Sequence, residues 1–241
     1  MQRSDHHDWT SEVYVEEWVK RQRSEDPTRA ERFQLMCDLF PFPHDASATI
    51  LDIGAGYGPV SMFILDGYPN ATCVAQDGSA PMLNRARKLM GRYGERFKTH
   101  QSDLFDTNWV PKRLGPFDAV VTSICLHNLR DFKRIGEIYG EVHAHLKAGG
   151  IFLNVDLINA PTADLWRRYA GVTTSRRQRD GASGREVEAM APCAERSSIA
   201  GTTGPFPADL DQHLAALRAA GFKDVDCFWK ETRLALFGGY A

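Results

Sequence analysis

The stretch Ile50-Leu51-Asp52-Ile53-Gly54-Ala55-Gly56-Tyr57-Gly58-Pro59 decides the fold. An apolar run ends in an acid, three alternating glycines follow, and a proline closes it. Consecutive apolar residues suit a strand buried on both faces of a parallel sheet. The glycines let the chain turn tightly and let a ligand approach the backbone. Pro59 suits the first turn of a helix, where its missing N–H costs nothing. The stretch therefore reads as strand, glycine loop and helix N-terminus, the corner at which doubly wound sheets hold nucleotide-type ligands.

Working outward, residues Ala71–Gln76, Arg96–His100, Phe117–Val121 and Ile151–Val155 read as further strands, with helical segments between them. That alternation predicts a mainly parallel sheet covered by helices on both faces. After a helix over Asp209–Ala220, capped by Gly221, come strands Val225–Lys230 and Arg233–Phe237. The turn between these two is too short for a crossover, so they must pair antiparallel. The expected fold is α/β, a Rossmann-like seven-stranded, mainly parallel sheet with an antiparallel last strand, helices on both faces and a helical cap.

The glycine spacing discriminates among ligands. A dinucleotide loop, Gly-x-Gly-x-x-Gly, needs a glycine where Pro59 stands, and no Gly-x-x-x-x-Gly-Lys phosphate loop is present. Asp52 to Gly58 instead resembles motif I, Asp-x-Gly-x-Gly-x-Gly, of the class I S-adenosylmethionine-dependent methyltransferases. Later segments fall in the same order as in that family. Asp77 ends the second strand, and Gly78-Ser79-Ala80-Pro81-Met82-Leu83 resembles the pattern Asp-x-Ser-x-x-Met-Leu. Ser102-Asp103-Leu104 follows the third strand, Thr122-Ser123-Ile124-Cys125-Leu126-His127 continues the fourth, and Leu146-Lys147-Ala148-Gly149-Gly150 precedes the fifth. The resemblance runs from about Ile50 to Asp156 and resumes from Asp209.

The resemblance implies S-adenosylmethionine as cofactor and S-adenosylhomocysteine as product, with the small-molecule branch of the family the best fit. It implies that Asp52, Gly54, Ala55, Gly56 and Gly58 surround the cofactor and that Asp77 holds the ribose, with Gly78 and Met82 beside it. Asp103 and Leu104 would hold the adenine, and Ser123 would lie by the methionine end. It also implies a last strand inserted antiparallel between the fifth and sixth. Taken singly, Asp77 and Asp103 read equally well as turn or helix caps.

Methyl transfer is an in-line displacement, so alignment of the acceptor supplies much of the rate. A hydroxyl or ammonium acceptor also needs a base. The nucleobase and amide branches carry Asn/Asp-Pro-Pro-Tyr/Phe after the fourth strand, and this chain does not. His127 is the candidate base, since imidazole takes a proton near neutral pH, and Asp156 is the second catalytic candidate. The competing reading makes both structural, as a histidine bonded to the next helix and a cap. Tyr14, Trp18, His127 and Trp166 are the candidate substrate contacts. Tyr14 and Trp18 share a helix face, which serves a packed core equally well. Arg21 or Arg23 is a candidate for the cofactor carboxylate. Arg167, Arg168, Arg176, Arg177, Arg179 and Arg185 suit an acidic substrate group or a solvated surface.

Composition is that of an ordinary globular chain: 241 residues, 43% hydrophobic and 25% charged, with a net charge of -2. This balance gives no footprint for bulk nucleic acid. Five scattered cysteines without a Cys-x-x-Cys pair suit a reducing cytoplasm and argue against a zinc site. His143 and His145 point to different sides of one helix, so no metal is expected. The N-terminus is polar, and no apolar run approaches membrane-spanning length. One structural domain is expected: a helical lid over 1–45, a core over 46–156 and 208–241, and a cap inserted at 157–207, in which Ala160–Ala170 and Glu186–Met190 read as short helices with the glycine-rich Gly181–Arg185 between them. The expected partner is a small molecule, without membrane or nucleic acid, and a homodimer remains open. The rival readings keep the cofactor for other chemistry, make the chain a non-catalytic binder, or make it a nicotinamide oxidoreductase.

Overall fold

The computed structural model describes residues 8–24, 28–179 and 204–241. Seven strands are β1 (Thr49–Ile53), β2 (Thr72–Asp77), β3 (Phe97–Gln101), β4 (Phe117–Ser123), β5 (Leu146–Leu157), β6 (Lys223–Glu231) and β7 (Leu234–Tyr240). They form one sheet in the order β3-β2-β1-β4-β5-β7-β6. Pairing among β1 to β5 is parallel, and β7 runs antiparallel between β5 and β6. This is the expected topology, including the inserted last strand. Strand order reverses between β1 and β4, which opens a crevice beyond the strands' C-terminal ends.

The helices are α1 (Glu12–Ser24), α2 (Arg29–Asp38), α3 (Pro59–Gly67), α4 (Ala80–Met90), α5 (Phe132–His145), α6 (Ala163–Arg179) and α7 (Leu210–Ala219). Alternate residues of the central strands feed two apolar layers. Leu51, Ile53, Val120, Phe152 and Phe237 pack with Ile135, Ile138 and Tyr139 of α5 and Leu217 of α7. Ile50, Ala119, Val121, Leu153 and Leu236 pack with Phe33 and Met36 of α2 and Val60 and Ile64 of α3. Each such side chain contributes roughly 1.5–3 kcal/mol through burial. The central strands therefore need mostly apolar residues on both faces, which is why their positions can be read from the sequence.

Helix starts follow the local chemistry. Pro59 opens α3 behind Gly58, whose φ of 86 only glycine tolerates easily. Ser79 caps α4 by accepting from the Met82 N–H. Asp209 and Gln212 form a reciprocal capping box on α7.

Two boundaries differ from expectation. β5 begins at Leu146 rather than Ile151, because Leu146 pairs with Phe117 before a bulge re-registers Ile151 on Ala119. α6 continues to Arg179 instead of stopping at Ala170. Gly171 and the β-branched residues after it lower helix propensity by only about 1 kcal/mol or less each, and no proline ends the helix. Arg176, Arg177 and Arg179 are thus helical, not part of a loop. The expected helix at Glu186–Met190 and the Gly181–Arg185 turn lie outside the described residues.

Candidate cofactor and acceptor site

The glycine loop is built by backbone bonds to β2. Ala55 N–H donates to the Gln76 carbonyl at 2.9 Å, and Gly58 N–H to the Ala55 carbonyl at 2.9 Å. Gly54, Gly56 and Gly58 all have positive φ. Asp77 fixes the loop from the side, accepting from Gly56 N–H at 2.8 Å on Oδ2 and from Ser79 N–H at 2.7 Å on Oδ1. Enclosure between the strand ends pushes its carboxyl above the usual range, against the pull of those two donors. Each oxygen keeps capacity for one more hydrogen bond, which matches the paired hydroxyls of a ribose. Asp77 is therefore a brace for the loop as well as a candidate ligand, while the cap of α4 is Ser79.

Position 54 has a second reason for glycine besides its positive φ. A Cβ there would lie 2.0 Å from Cys125 Sγ. The close neighbour is a side chain from the β4 turn, so β1 and β4 interlock at this point.

Gln76 is a bracing residue of the candidate site that the sequence reading missed. Fully buried at the end of β2, it accepts from Gly54 N–H at 3.2 Å and donates to the Ser102 carbonyl at 2.8 Å. It thus ties the loop after β1 to the loop after β3. A polar residue closing the apolar run Cys73-Val74-Ala75 was the available signal.

Asp52 lies beneath the loop, fully buried. Its Oδ2 accepts from Ser61 N–H at 3.1 Å and Ser61 Oγ at 2.7 Å, while Oδ1 has no partner. Burial raises its carboxyl to about 7. An unpartnered buried acceptor under the glycines fits the cationic methionine end of the cofactor, directly or through water.

Asp103 caps its own turn by accepting from Phe105 N–H at 3.0 Å. Leu104 is buried, and its carbonyl accepts from Arg134 Nε at 2.7 Å. Arg134 makes a forked pair with Glu141 at 2.8 and 2.9 Å, and Glu141 also accepts from the Trp109 indole. This brace from α5 to the β3 loop was also missed, because its members are far apart in sequence. Gly78 is exposed beside Asp77.

The N-terminal segment packs on the cofactor side. Ser79 Oγ donates to the Trp9 carbonyl at 2.5 Å. Val15 and Val19 of α1 cluster with Tyr57 of the glycine loop and Met82 of α4, flanked by Trp9 and Trp18. Trp9 meets Tyr14 and Trp18 edge-on at 5.4 and 5.3 Å. Met82 therefore contacts α1, and Trp18 is partly packed core. Arg21 and Arg23 have no described side chains.

Ser123 ends β4, paired with Val155. The turn beyond it is tightly specified. Ile124, a β-branched residue, has φ 54, and Arg130 also has φ 54. Such a conformation costs about 1–3 kcal/mol and recurs at functional sites. Between the two lies His127, whose Nδ1 meets Asp156 Oδ1 at 2.6 Å and whose backbone N–H donates to Asp156 Oδ2 at 3.0 Å. Asp156 Oδ1 also accepts from Leu157 N–H at 2.8 Å. The side chains are 13% and 2% exposed, so the carboxylate is sealed and the imidazole reaches the crevice. In the neutral tautomer that directs Nδ1–H at the carboxylate, Nε2 carries the lone pair.

Trp166 sits on α6, edge-on to Phe206 at 5.9 Å and capped by the Arg233 guanidinium at 4.7 Å. Phe206 in turn meets the His127 ring edge-on at 5.6 Å. Of the arginine group, Arg167 pairs with Asp164 on an exposed face, Arg168 is exposed, and the side chains of the other four are not described. The residues thus fall into two clusters at one sheet edge. Gly54, Gly56, Asp77 and Asp52 surround the β1–β2 end, and His127, Asp156, Phe206 and Trp166 surround the β4–β5 end. Two surface cavities of about 210 and 200 Å³ lie elsewhere, one at the N-terminal strand edge by Thr49 and Lys98, the other between α2 and α3. Among the described residues no cluster has a metal-binding arrangement and no helix is long and apolar enough to cross a membrane.

With this geometry in place, the comparisons with known proteins give the class. A family profile described as methyltransferase domain matches residues 50–150. Among curated relatives, a malonyl-[acyl-carrier protein] O-methyltransferase of Neorickettsia risticii is 34% identical over 85 residues, 35% of this chain and 31% of its own length. A trans-aconitate 2-methyltransferase of Azoarcus sp. is 30% identical over 129 residues, 53% of this chain and 45% of its own length. The chain thus spans less than half the length of each. Among solved structures, an O-methyltransferase family 2 protein from Planctomyces limnophilus in complex with apigenin superposes with a TM-score of 0.63 at 20% identity, covering 98% of this chain and 63% of the other. That likeness is one of fold. Residues 50–150 thus match a methyltransferase domain, in line with the motifs that resemble the class I S-adenosylmethionine-dependent family.

Proposed function

We propose that the chain transfers a methyl group from S-adenosylmethionine to the hydroxyl oxygen of a small molecule. The observation that carries the choice of a hydroxyl is the His127–Asp156 pair. A carboxylate acceptor is already ionised at neutral pH and needs no base, whereas a hydroxyl or an ammonium must lose a proton to attack, and the relatives named O-methyltransferases favour oxygen over nitrogen. The relatives' names include carboxylic acids, an acceptor chemistry that would not call on such a pair.

The cofactor supplies an electrophilic methyl group on a cationic sulfur. Asp77 holds the ribose hydroxyls, Asp103 and Leu104 hold the adenine, and the loop at Gly54, Ala55, Gly56 and Gly58, with Gly78, Met82 and Ser123, surrounds the rest. Asp52 offers its spare oxygen to the methionine ammonium. Asp156 fixes the tautomer and rotation of His127, as a buried carboxylate does for a catalytic imidazole. His127 takes the acceptor proton on Nε2. Tyr14 and Trp18 from the N-terminal lid, and Trp166 from the inserted cap, exclude water from the crevice.

The test uses S-adenosylmethionine carrying a labelled methyl group, incubated with small-molecule extracts and either wild type or His127→Gln. The expected result is a labelled ether product from wild type that is lost with the variant, while both bind S-adenosylhomocysteine equally. Equal labelling by both proteins would remove His127 as base and favour a carboxylate acceptor.

A further inference from the structure

The inserted segment leaves the sheet at Ile158 and returns at Ala208, and one side chain joins both ends. Asn159 is 2% exposed. Its Nδ2 donates to the Phe206 carbonyl at 2.6 Å, and its Oδ1 accepts from Phe206 N–H at 3.0 Å. Its own N–H donates to the Ala208 carbonyl at 2.9 Å, and it bridges in parallel to Asp209. Both polar groups of the amide are thus spent on one residue 47 positions away. Gly204 completes the fit, because a Cβ there would lie 2.6 Å from Asn159 Oδ1 and 3.1 Å from the Trp166 ring.

The residue held this way is Phe206, edge-on to His127 at 5.6 Å and to Trp166 at 5.9 Å. Its backbone is fixed by a two-point amide clamp, and its ring is fixed between two others. A buried polar group satisfied on every side rigidifies its surroundings, and a rigid aromatic wall discriminates by shape.

We propose that Asn159 is a positioning residue that clamps Phe206 against His127, and that Phe206 is a specificity-determining residue that admits flat, ring-borne hydroxyls and rejects branched aliphatic ones. The selectivity rests on the reading of His127 as the base. The clamp does not, and it is tested separately.

The first arm needs no substrate. Proteins carrying ¹³C-labelled histidine are compared by NMR, with the His127 ring signals assigned from His127→Gln. Aromatic ring currents act over this distance, so Phe206→Leu is expected to move the His127 ring protons. Asn159→Asp, which turns the Nδ2 donor into an acceptor facing the Phe206 carbonyl, is expected to reproduce that shift. Gly204→Ala serves as a second variant that pushes on the same amide, in case Asn159→Asp does not fold. A shift in Phe206→Leu with none in either clamp variant would overturn the clamp, and no shift in Phe206→Leu would overturn the ring contact.

The second arm measures methyl transfer to a panel of hydroxybenzenes and matched branched alcohols, with cofactor binding measured beside it. Phe206→Leu is expected to lower the preference for the flat acceptors on the order of 10-fold or more, as pocket-wall changes do, while cofactor affinity stays within about 2-fold. An unchanged preference would overturn the specificity role. No transfer to any panel member by wild type would count against the functional reading and the acceptor class, while the NMR arm would still decide the clamp.

Discussion

The two halves of the crevice are held together differently. On the β1–β2 side the two acids accept chiefly from main-chain donors, Asp77 from Gly56 and Ser79 N–H and Asp52 from Ser61 N–H, while the Gln76 side chain ties the loops. On the β4–β5 side they are held by side chains reaching across the fold: His127 by Asp156 29 positions away, and Phe206 by Asn159 47 positions away. A site braced by backbone depends little on which side chains surround it. A site braced by side chains is retuned by single substitutions. This suits a cofactor half that stays constant and an acceptor half that varies.

The largest expected effect falls on the acceptor half. His127→Gln should lower kcat on the order of 100- to 10,000-fold, the range for loss of a general base, with cofactor affinity unchanged by calorimetry. Asp156→Asn should reproduce most of that loss, because the amide no longer enforces the Nε2 lone pair. A variant pair that loses cofactor binding as well would show that the two halves are not separable.

On the cofactor half, Asp77→Asn should weaken S-adenosylhomocysteine binding about 10- to 100-fold, since a buried acceptor becomes a donor facing Gly56 or Ser79 N–H, at a cost of about 1–3 kcal/mol. kcat at saturating cofactor should change far less. A drop in kcat with unchanged affinity would reverse the assignment.

A third prediction concerns the seam behind the acceptor half. His213 of α7 is 2% exposed and bonded to Tyr139 of α5 at 2.7 Å, and burial lowers its imidazole to about 4. The folded state resists protonation, so the unfolded state binds more protons between about 4 and the ordinary value of 6.5. Stability therefore falls as pH drops through that window, by up to about 3 kcal/mol. His213→Gln should flatten this slope in denaturant titrations run from pH 7 to pH 4.5. An unchanged slope would place the acid sensitivity elsewhere.

The smallest effect tests the interlock between the halves. Gly54→Ala should lower stability by about 1–3 kcal/mol, from a strained φ and from collision with Cys125. Cys125→Ala in that background should restore part of the loss by removing Sγ, measured by thermal melts of both proteins. No recovery would mean that φ alone forbids a side chain at position 54.

The same contrast explains what the sequence disclosed. The glycine loop, Ser79 cap and Asp77 lie within short segments whose spacing carries their geometry, and the apolar stretches of β1, β4 and β5 report burial on both faces. The antiparallel pairing of β7 with β6 followed from a turn too short for a crossover, and its place between β5 and β6 was implied by the resemblance. Gln76, Arg134, Asn159 and Phe206 went unread, because each acts through a partner brought near only by the folded sheet. His127 and Asp156 were visible separately but not as a pair. α6 was read short because Gly171 and its β-branched neighbours lower propensity without stopping a helix.

The most direct measurement is calorimetric titration of wild type with S-adenosylhomocysteine and NAD in parallel. The geometry of Asp52, the glycine loop and Asp77 predicts saturable binding of S-adenosylhomocysteine and none of NAD. Binding of NAD alone would contradict the cofactor assignment and, with it, methyl transfer.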